Sequence, residues 1–530
     1  MRRPITLALL VASACASAQV CFDPAGLHHI AANESFAADA LLRRTRSSPS
    51  RGYDLKYHRL ELVTNPALRY ITGAVTHYYT AITDLDDVVL DLDPALTVSA
   101  VTDGTGPLAF TRTDDKLIIQ RNATLPAGML DSLRVTYSGT PPETGFGSFI
   151  QAEHSGVPVL WTLSEPYGAK DWWPCKQDLN DKADSLDLLV RTPIGQRVAG
   201  NGVLVSVTDQ GNGTAIHHWR HRHPINFYLV AFAVTNYAAY SNTVPLPSGP
   251  VEVLNYVFPE HLGLAQGVTP DIIGQMQLYS QLFGEYPFAD EKYGHAEFGW
   301  GGGMEHQTMT FLGGFNYELL AHELAHQWFG DLVTCGSWQD LWLNEGFATY
   351  LSALCYENLA PQYWKPWLQA RRDNITSQPG GSVFVTDTTS IGRLFDGRLT
   401  YAKGAYLLHM LRWVCGDQAF YAGINDYLND PAIRNRSALT SQLVAHLEAA
   451  SGQALTEFMA DWYTGQGYPS YLLTWTQTAD GHVSARLEQS TSHPSVSFFE
   501  MPVPVRFKQG TQSETVVLDH GFSGQVFEFD

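Results

Sequence analysis

Residues 322 to 326 read H-E-L-A-H, and Glu345 follows 19 positions after His326 inside L-N-E-G-F-A. At 3.6 residues per turn, a four-residue step returns to the same helix face about 6 Å along the axis, so His322 and His326 can reach one ion. Two imidazoles and a carboxylate from Glu345 fill three of the four positions that zinc prefers and leave the fourth for water, the pattern of an open site. This constrains the fold directly, because two separate helices must pack side by side to bring the ligands together. Tyr317 to Gly330 carries Leu319, Leu320, Leu324 and Trp328 around the histidines, and Trp342, Leu343, Phe347 and Tyr350 recur at helical spacing around Glu345. Glu323 lies between the histidines, close to the ion without binding it, where a carboxylate can accept a proton from water. The bland alternative is a chance H-E-x-x-H on an amphipathic helix. The third acid argues against it, since buried histidines and a carboxylate without a cation are costly to desolvate.

The 530-residue chain is too long for one hydrophobic core, so three to four domains are expected. Its net charge of −20 argues against nucleic acid or an anionic membrane as partner, whose binding needs clustered Lys and Arg. No uninterrupted apolar run reaches the ~18 residues of a membrane span, so a soluble body is expected. Arg2 and Arg3, the apolar stretch from Ile5 to Ala14 and the small residues Ala16, Ser17 and Ala18 form a signal-peptide pattern over 1–18. A secreted or periplasmic location follows from it, with a lipoprotein anchor through Cys15 as the weaker variant. Cleavage would leave Cys21, Cys175, Cys335, Cys355 and Cys415, widely spaced and odd in number, which reads as buried free thiols. Five N-x-S/T sequons begin at Asn33, Asn122, Asn212, Asn374 and Asn435 and matter only in a glycosylating system.

After an N-terminal extension over 19–50, short alternating and apolar runs such as Tyr57 to Leu62 and Leu117 to Ile119 indicate an all-β domain over 51–245. The period then changes. Thr269 is expected to cap a helix with Pro270 at its first position and a buried stripe of Ile272, Ile273, Met276, Tyr279 and Phe283. A mainly α catalytic domain is assigned to 246–467, with further helices over Ala402 to Val414 and Ser441 to Ala450. Strand patterning returns at Tyr471 to Trp475, Val483 to Leu487, Val503 to Phe507 and Thr515 to Leu518, which suits a small β-sandwich over 468–530. The fold class is thus multidomain α+β.

Four motifs in order make the sequence resemble the zinc aminopeptidases typified by aminopeptidase N and leukotriene-epoxide hydrolase. They are S-E-P-Y-G-A-K-D-W-W-P-C from Ser164 to Cys175, G-G-M-E-H from Gly302 to His306, the zinc motif with its glutamate, and T-Y-A-K-G-A from Thr400 to Ala405. The resemblance covers roughly residues 50 to 530. It implies a thermolysin-like catalytic domain, one zinc ion per chain, and peptide substrates with a free N-terminal amine. It also implies that Glu323 is the general base and that Tyr401 donates its hydroxyl to the oxyanion. Substrate would be bound by Glu165, Gly302, Gly303, Met304, Glu305 and His306, with Glu165 and Glu305 on the amine. A free α-amine has a pKa near ~7.7 to 8.0 and is mostly cationic at neutral pH, so carboxylates can hold it. Held at a fixed distance from the metal, the amine admits only the first peptide bond. The simpler reading of these segments is a glycine turn, a solvated loop acid at Glu305 and a core tyrosine at Tyr401.

Two departures stand out. His306 replaces the asparagine of the family's G-x-M-E-N, introducing an imidazole expected to become cationic below about pH 6.5. The chain also lacks the length for the family's large C-terminal helical domain. Outside these motifs, His217, His218, His221 and His223 invite a second metal site, but no acid or cysteine lies directly beside them, so a solvated strand face is expected. The alternatives to an aminopeptidase are epoxide hydrolysis on the same site, a catalytically silent peptide binder, and an endopeptidase, which the paired Glu165 and Glu305 disfavour.

Overall fold

A computed structural model of the chain describes residues 20, 22–26, 30–32, 52–143 and 148–529. The expected signal peptide, Cys15 and Cys21 lie outside the described residues. The N-terminal region is β-structure, as the alternating pattern indicates. Its largest sheet has eight strands, in the order Val203–Asp209, Thr214–His221, Ser185–Pro193, Tyr53–Asn65, Leu68–Ala81, Leu130–Gly139, Leu96–Asp103 and Gly106–Pro107. The strands Tyr53–Asn65 and Ser185–Pro193 run parallel, with Leu60 opposite Leu188 and Leu62 opposite Val190. Leu60, Leu62, Leu188 and Val190 are all buried, so one face of the pair feeds the core.

A second, five-stranded sheet begins the helical region. The strand Gly249–Val257 pairs in parallel with Tyr293–Glu297, and the helix Asp271–Phe283 lies in the crossover between them. Tyr293–Glu297 pairs with Thr310–Leu312, whose other neighbour is the short strand Gly303–Met304. The Asp271–Phe283 helix buries Ile272, Met276, Tyr279 and Phe283 of its expected stripe, while Ile273 is only half-buried. Its expected cap differs: the Thr269 hydroxyl donates to Asn242 at 3.2 Å and pairs with the Tyr240 hydroxyl at 3.0 Å, and gives the helix no side-chain cap. Thr269 is bonded instead to the strand Ala238–Leu246, which pairs with Gly249–Val257.

One continuous apolar core runs from Leu60 in the β-region through the helices to Phe499, so the first two regions share an interior. The described part of the N-terminal extension lies on the helical region, with Phe22 edge-on to Tyr356 and the Arg371 guanidinium donating to the Pro24 carbonyl at 2.8 Å. The C-terminal region is β-structure, with strands Pro469–Gln477, Val483–Thr491, Met501–Gln509 and Gln512–His520, and a fifth, Gln525–Phe529, that the sequence pattern did not reveal. The described residues contain no large C-terminal helical domain and no helix long and apolar enough to cross a membrane. Cys175, Cys335 and Cys355 are buried free thiols, as expected, and Cys415 is half-buried and free.

Candidate metal centre

The histidine helix is shorter than its apolar pattern suggests, spanning Tyr317–Ala325, and every residue in it is buried. The Asn316 side chain caps it by accepting from the Leu319 amide at 2.9 Å. The chain turns away before Gly330, which takes φ 139°, a value natural only to glycine. His326 sits at the C-cap with φ −59° and ψ −25°, still helical, so the i, i+4 geometry survives the early end. Glu345 lies in the first turn of the buried helix Trp342–Leu359. One turn of that helix packs against the helix Gly404–Cys415 at Gly346, where an added Cβ would lie 3.2 Å from the Gly404 Cα. An alanine at Gly346 would press on Gly404, so the facing glycines ease this close approach.

His322 Nε2 and His326 Nε2 are 3.2 Å apart, and Glu345 Oε2 lies 3.3 Å from the first and 3.4 Å from the second. A tetrahedral centre with bonds of about 2.0–2.1 Å has ligand-to-ligand edges of about 3.3 Å, so this triangle has the dimensions of three zinc ligands. The His326 Nδ1–H donates to the Phe329 carbonyl at 3.1 Å, which leaves the Nε2 lone pair facing the triangle. Burial opposes a charge on His326, yet Glu305 and Glu345 outweigh it and raise its pKa well above the usual imidazole value. Burial likewise opposes the charge on Glu345, and the two histidines overcome it and hold the carboxyl down to about 2. The cluster calls for positive charge at the ring nitrogens, which a divalent cation supplies.

Glu323 is buried beside this triangle, with both carboxylate oxygens lacking a hydrogen-bond partner. Burial pushes its pKa well up, as suits a base that must accept a proton. Gly303 lies against it: a Cβ there would fall 2.2 Å from Glu323 Oε1. Tyr401 belongs to a wide π-helical segment, Gly397–Lys403, that the sequence pattern did not anticipate. Its buried ring stacks near His322, with centroids 6.1 Å apart and planes at 17°. Asp396 caps the segment by accepting from the Arg398 and Leu399 amides, each at 2.9 Å. Lys403 ties it down by donating to the Gly381 and Gly467 carbonyls at 2.9 and 3.2 Å, and burial lowers that ammonium to about 8.

Glu165 follows the strand Val157–Thr162, and Glu305 follows Gly303–Met304. One oxygen from each lies within 4.8 Å of an oxygen of Glu345, so the structure brings both proposed amine-binding acids to the metal triangle. Met304 is buried, and Gly302 adopts φ 104° at the turn entering the strand. His306 departs from expectation. It is fully buried, edge-on to Phe311 at 4.4 Å, with neither ring nitrogen hydrogen-bonded, and burial lowers its pKa to about 3. It therefore stays neutral where a solvated imidazole would titrate.

Some supporting residues gave no sequence signal. Gln327 accepts from the Thr308 amide at 2.8 Å and donates to the Glu305 carbonyl at 3.3 Å, linking the histidine helix to the Glu305 segment. Asn344 accepts from the Cys335 amide at 3.1 Å, and Lys182 reaches from the β-region to donate to the Asp331 carbonyl at 2.6 Å. The four clustered histidines are also only partly a solvated face. His221 is fully buried and bonded to Glu291 at 2.6 Å, His223 to Asp290 at 2.8 Å, and His218 pairs with Asp187. Their acids come from distant segments, and no metal-competent group forms there among the described residues.

Residues 315–462 match the model of the peptidase family M1 domain. A structure of a mutant M1 zinc metallopeptidase from Deinococcus radiodurans superposes with a TM-score of 0.73 at 25% identity, covering 82% of this chain and 99% of that one. Residues 315–462 thus resemble an M1 peptidase domain in sequence, and most of the chain is similar in fold to M1 zinc metallopeptidases. Another Deinococcus M1 structure, described as bound to a Tyr-Ser-Ala substrate, has a TM-score of 0.68 at 26% identity and covers 79% of this chain and 95% of its own. The leucyl aminopeptidase of Saccharolobus solfataricus is 25% identical over 474 residues, 84% of this chain and 58% of that protein. The chain spans about half the length of the curated relatives it matches. The matched residues contain His322, Glu323, His326, Glu345 and Tyr401, while Glu165 and Gly302 to His306 precede them.

Proposed function

We propose that the protein is a zinc aminopeptidase that hydrolyses the first peptide bond of peptides bearing a free N-terminal amine, with one zinc ion held by His322, His326 and Glu345. The observation that carries the reading is the adjacency of two groups. A triangle with edges of 3.2 to 3.4 Å suits zinc, and Glu165 and Glu305 reach within 4.8 Å of its carboxylate corner. When bound, zinc lowers the pKa of water towards ~7 and polarises a carbonyl as a Lewis acid. The chain's own residues do the rest. Glu165 and Glu305 hold the cationic amine and fix the register, so the bond one residue along meets the metal. Glu323 takes the proton of the attacking water and passes it to the leaving amine, a role suited to a buried carboxylate without a fixed partner. The Tyr401 hydroxyl donates to the oxyanion as the carbonyl becomes tetrahedral. Gly302, Gly303, Met304 and His306 line the substrate segment, with His306 acting as a neutral group.

Amino-acid arylamides with free and acetylated α-amines, assayed before and after chelation, test this directly. Cleavage of the free-amine form alone, abolished by the chelator, is expected. Equal cleavage of the acetylated form would overturn the exopeptidase reading, and absent turnover with zinc fully bound would leave only a peptide binder. No feature of the site favours epoxide hydrolysis. We further propose export to a secreted or periplasmic location on the pattern from Arg2 to Ala18, checked by fractionation and N-terminal sequencing of the mature protein.

A further inference from the structure

Three buried carboxyl groups converge beside the histidine triangle. Glu165, Glu305 and Glu345 are each at most 4% exposed, and one oxygen from each lies within 4.8 Å of the others. Glu305 Oε1 is buried and has no hydrogen-bond partner. Glu345 also belongs to the histidine triangle, so its carboxylate faces both groups.

A substrate ammonium would neutralise part of this cluster, but only while a peptide is bound. Between turnovers the acids form a compact, oxygen-only donor set. Three oxygens up to about 4.5 Å apart can all touch a cation with bonds of about 2.3–2.6 Å, so the 4.8 Å within which these lie needs at most a few tenths of an ångström of closure. Oxygen-only sets favour hard ions such as magnesium, calcium and manganese over the nitrogen-seeking metals. We propose that Glu165, Glu305 and Glu345 form a second divalent-cation site for a hard metal, bridged to the zinc site through Glu345. Because its donors are those proposed to hold the substrate amine, a cation there competes with peptide, and hard divalent ions act as inhibitors. The competition rests on the proposed amine-binding role; the cation site does not.

Zinc-loaded protein titrated with Mn2+ and followed by the paramagnetic resonance of free Mn2+ tests the site without reference to turnover, while zinc content is measured in parallel. The expected result is one Mn2+ bound per chain with zinc retained, and affinity at least tenfold weaker in Glu305→Gln. Glu165→Gln provides the same test if the first variant fails to fold. L-leucinamide, a cationic amine, should displace the Mn2+, whereas N-acetyl-L-leucinamide should not. Mn2+ uptake that is absent, or unchanged in both variants, overturns the proposal even if free-amine arylamides are cleaved. Uptake that depends on Glu305 but resists L-leucinamide supports the cation site and defeats the amine-binding assignment instead.

Discussion

Gly303→Ala isolates the position of the proposed base from the metal. A Cβ at residue 303 would stand 2.2 Å from Glu323 Oε1 and 2.4 Å from its Cδ, whereas ordinary contact begins at 3.4 Å, so the carboxylate must retreat by about 1.2 Å. Gly303 is absent from the positive-φ residues, so alanine meets no backbone strain there. The clash falls on the far end of a side chain, so the stability cost stays near the lower end of ~1–3 kcal/mol for overpacking. The catalytic cost is different in kind. A displacement of about 1 Å in a reacting group costs on the order of a hundredfold in rate, so kcat should fall by about that factor. Zinc content should remain unchanged, because Glu323 is not one of the three residues of the triangle. Gly314→Ala, where an added Cβ meets nothing within 4 Å, is the matched control and should behave as wild type. Steady-state kinetics on a free-amine arylamide, zinc analysis and thermal melting complete the assay. A Gly303→Ala protein with kcat within threefold of wild type would show that Glu323 does not act from this position.

Glu323→Gln keeps the shape of the proposed base and removes its proton affinity. It should lower kcat by about 10²–10⁴-fold with zinc still bound, read by turnover and metal analysis. Tyr401→Phe removes the proposed oxyanion donor and should cost about 10²–10³ in kcat with little change in KM. Acid should destabilise the fold through buried histidines. Burial lowers His58, His295 and His306 each to about 3. A group depressed in the folded state leaves the unfolded chain binding more protons below about pH 6.5. Each therefore contributes stability that is present above that value and lost towards pH 3, at about 1.4 kcal/mol per pH unit. Denaturant melts across that range should show the loss, and His306→Asn should shallow it by one group while leaving the activity profile between pH 6 and 9 unchanged.

What could be read in the sequence was what local period controls. The pair His322 and His326 needs only one helical turn, and it survives a helix that ends at Ala325 because His326 keeps helical dihedrals. Glu345 was legible for the same reason, since Trp342, Leu343, Phe347 and Tyr350 mark a helix whatever it packs against. The strands Tyr293–Glu297 and Thr310–Leu312 were not legible: they are five and three residues long, buried throughout, and so show no alternation. Yet they carry the strand Gly303–Met304 that sets Glu305 beside the triangle of His322, His326 and Glu345. The π-helical turn at Tyr401 was equally hidden, because a widened turn leaves the apolar spacing of its neighbours intact. His306 shows the same limit in its charge. Residue type alone suggests an imidazole titrating near neutrality, but the ring lies against Phe311 without a polar partner, and desolvation there decides its state. Burial set by long-range contacts is therefore what turns the legible ligand pair into an electrostatic device. It leaves Glu305 Oε1 buried without a hydrogen-bond partner beside Glu165 and Glu345, and that unsatisfied cluster of acids is the feature through which an ammonium, or a competing hard cation, would be selected.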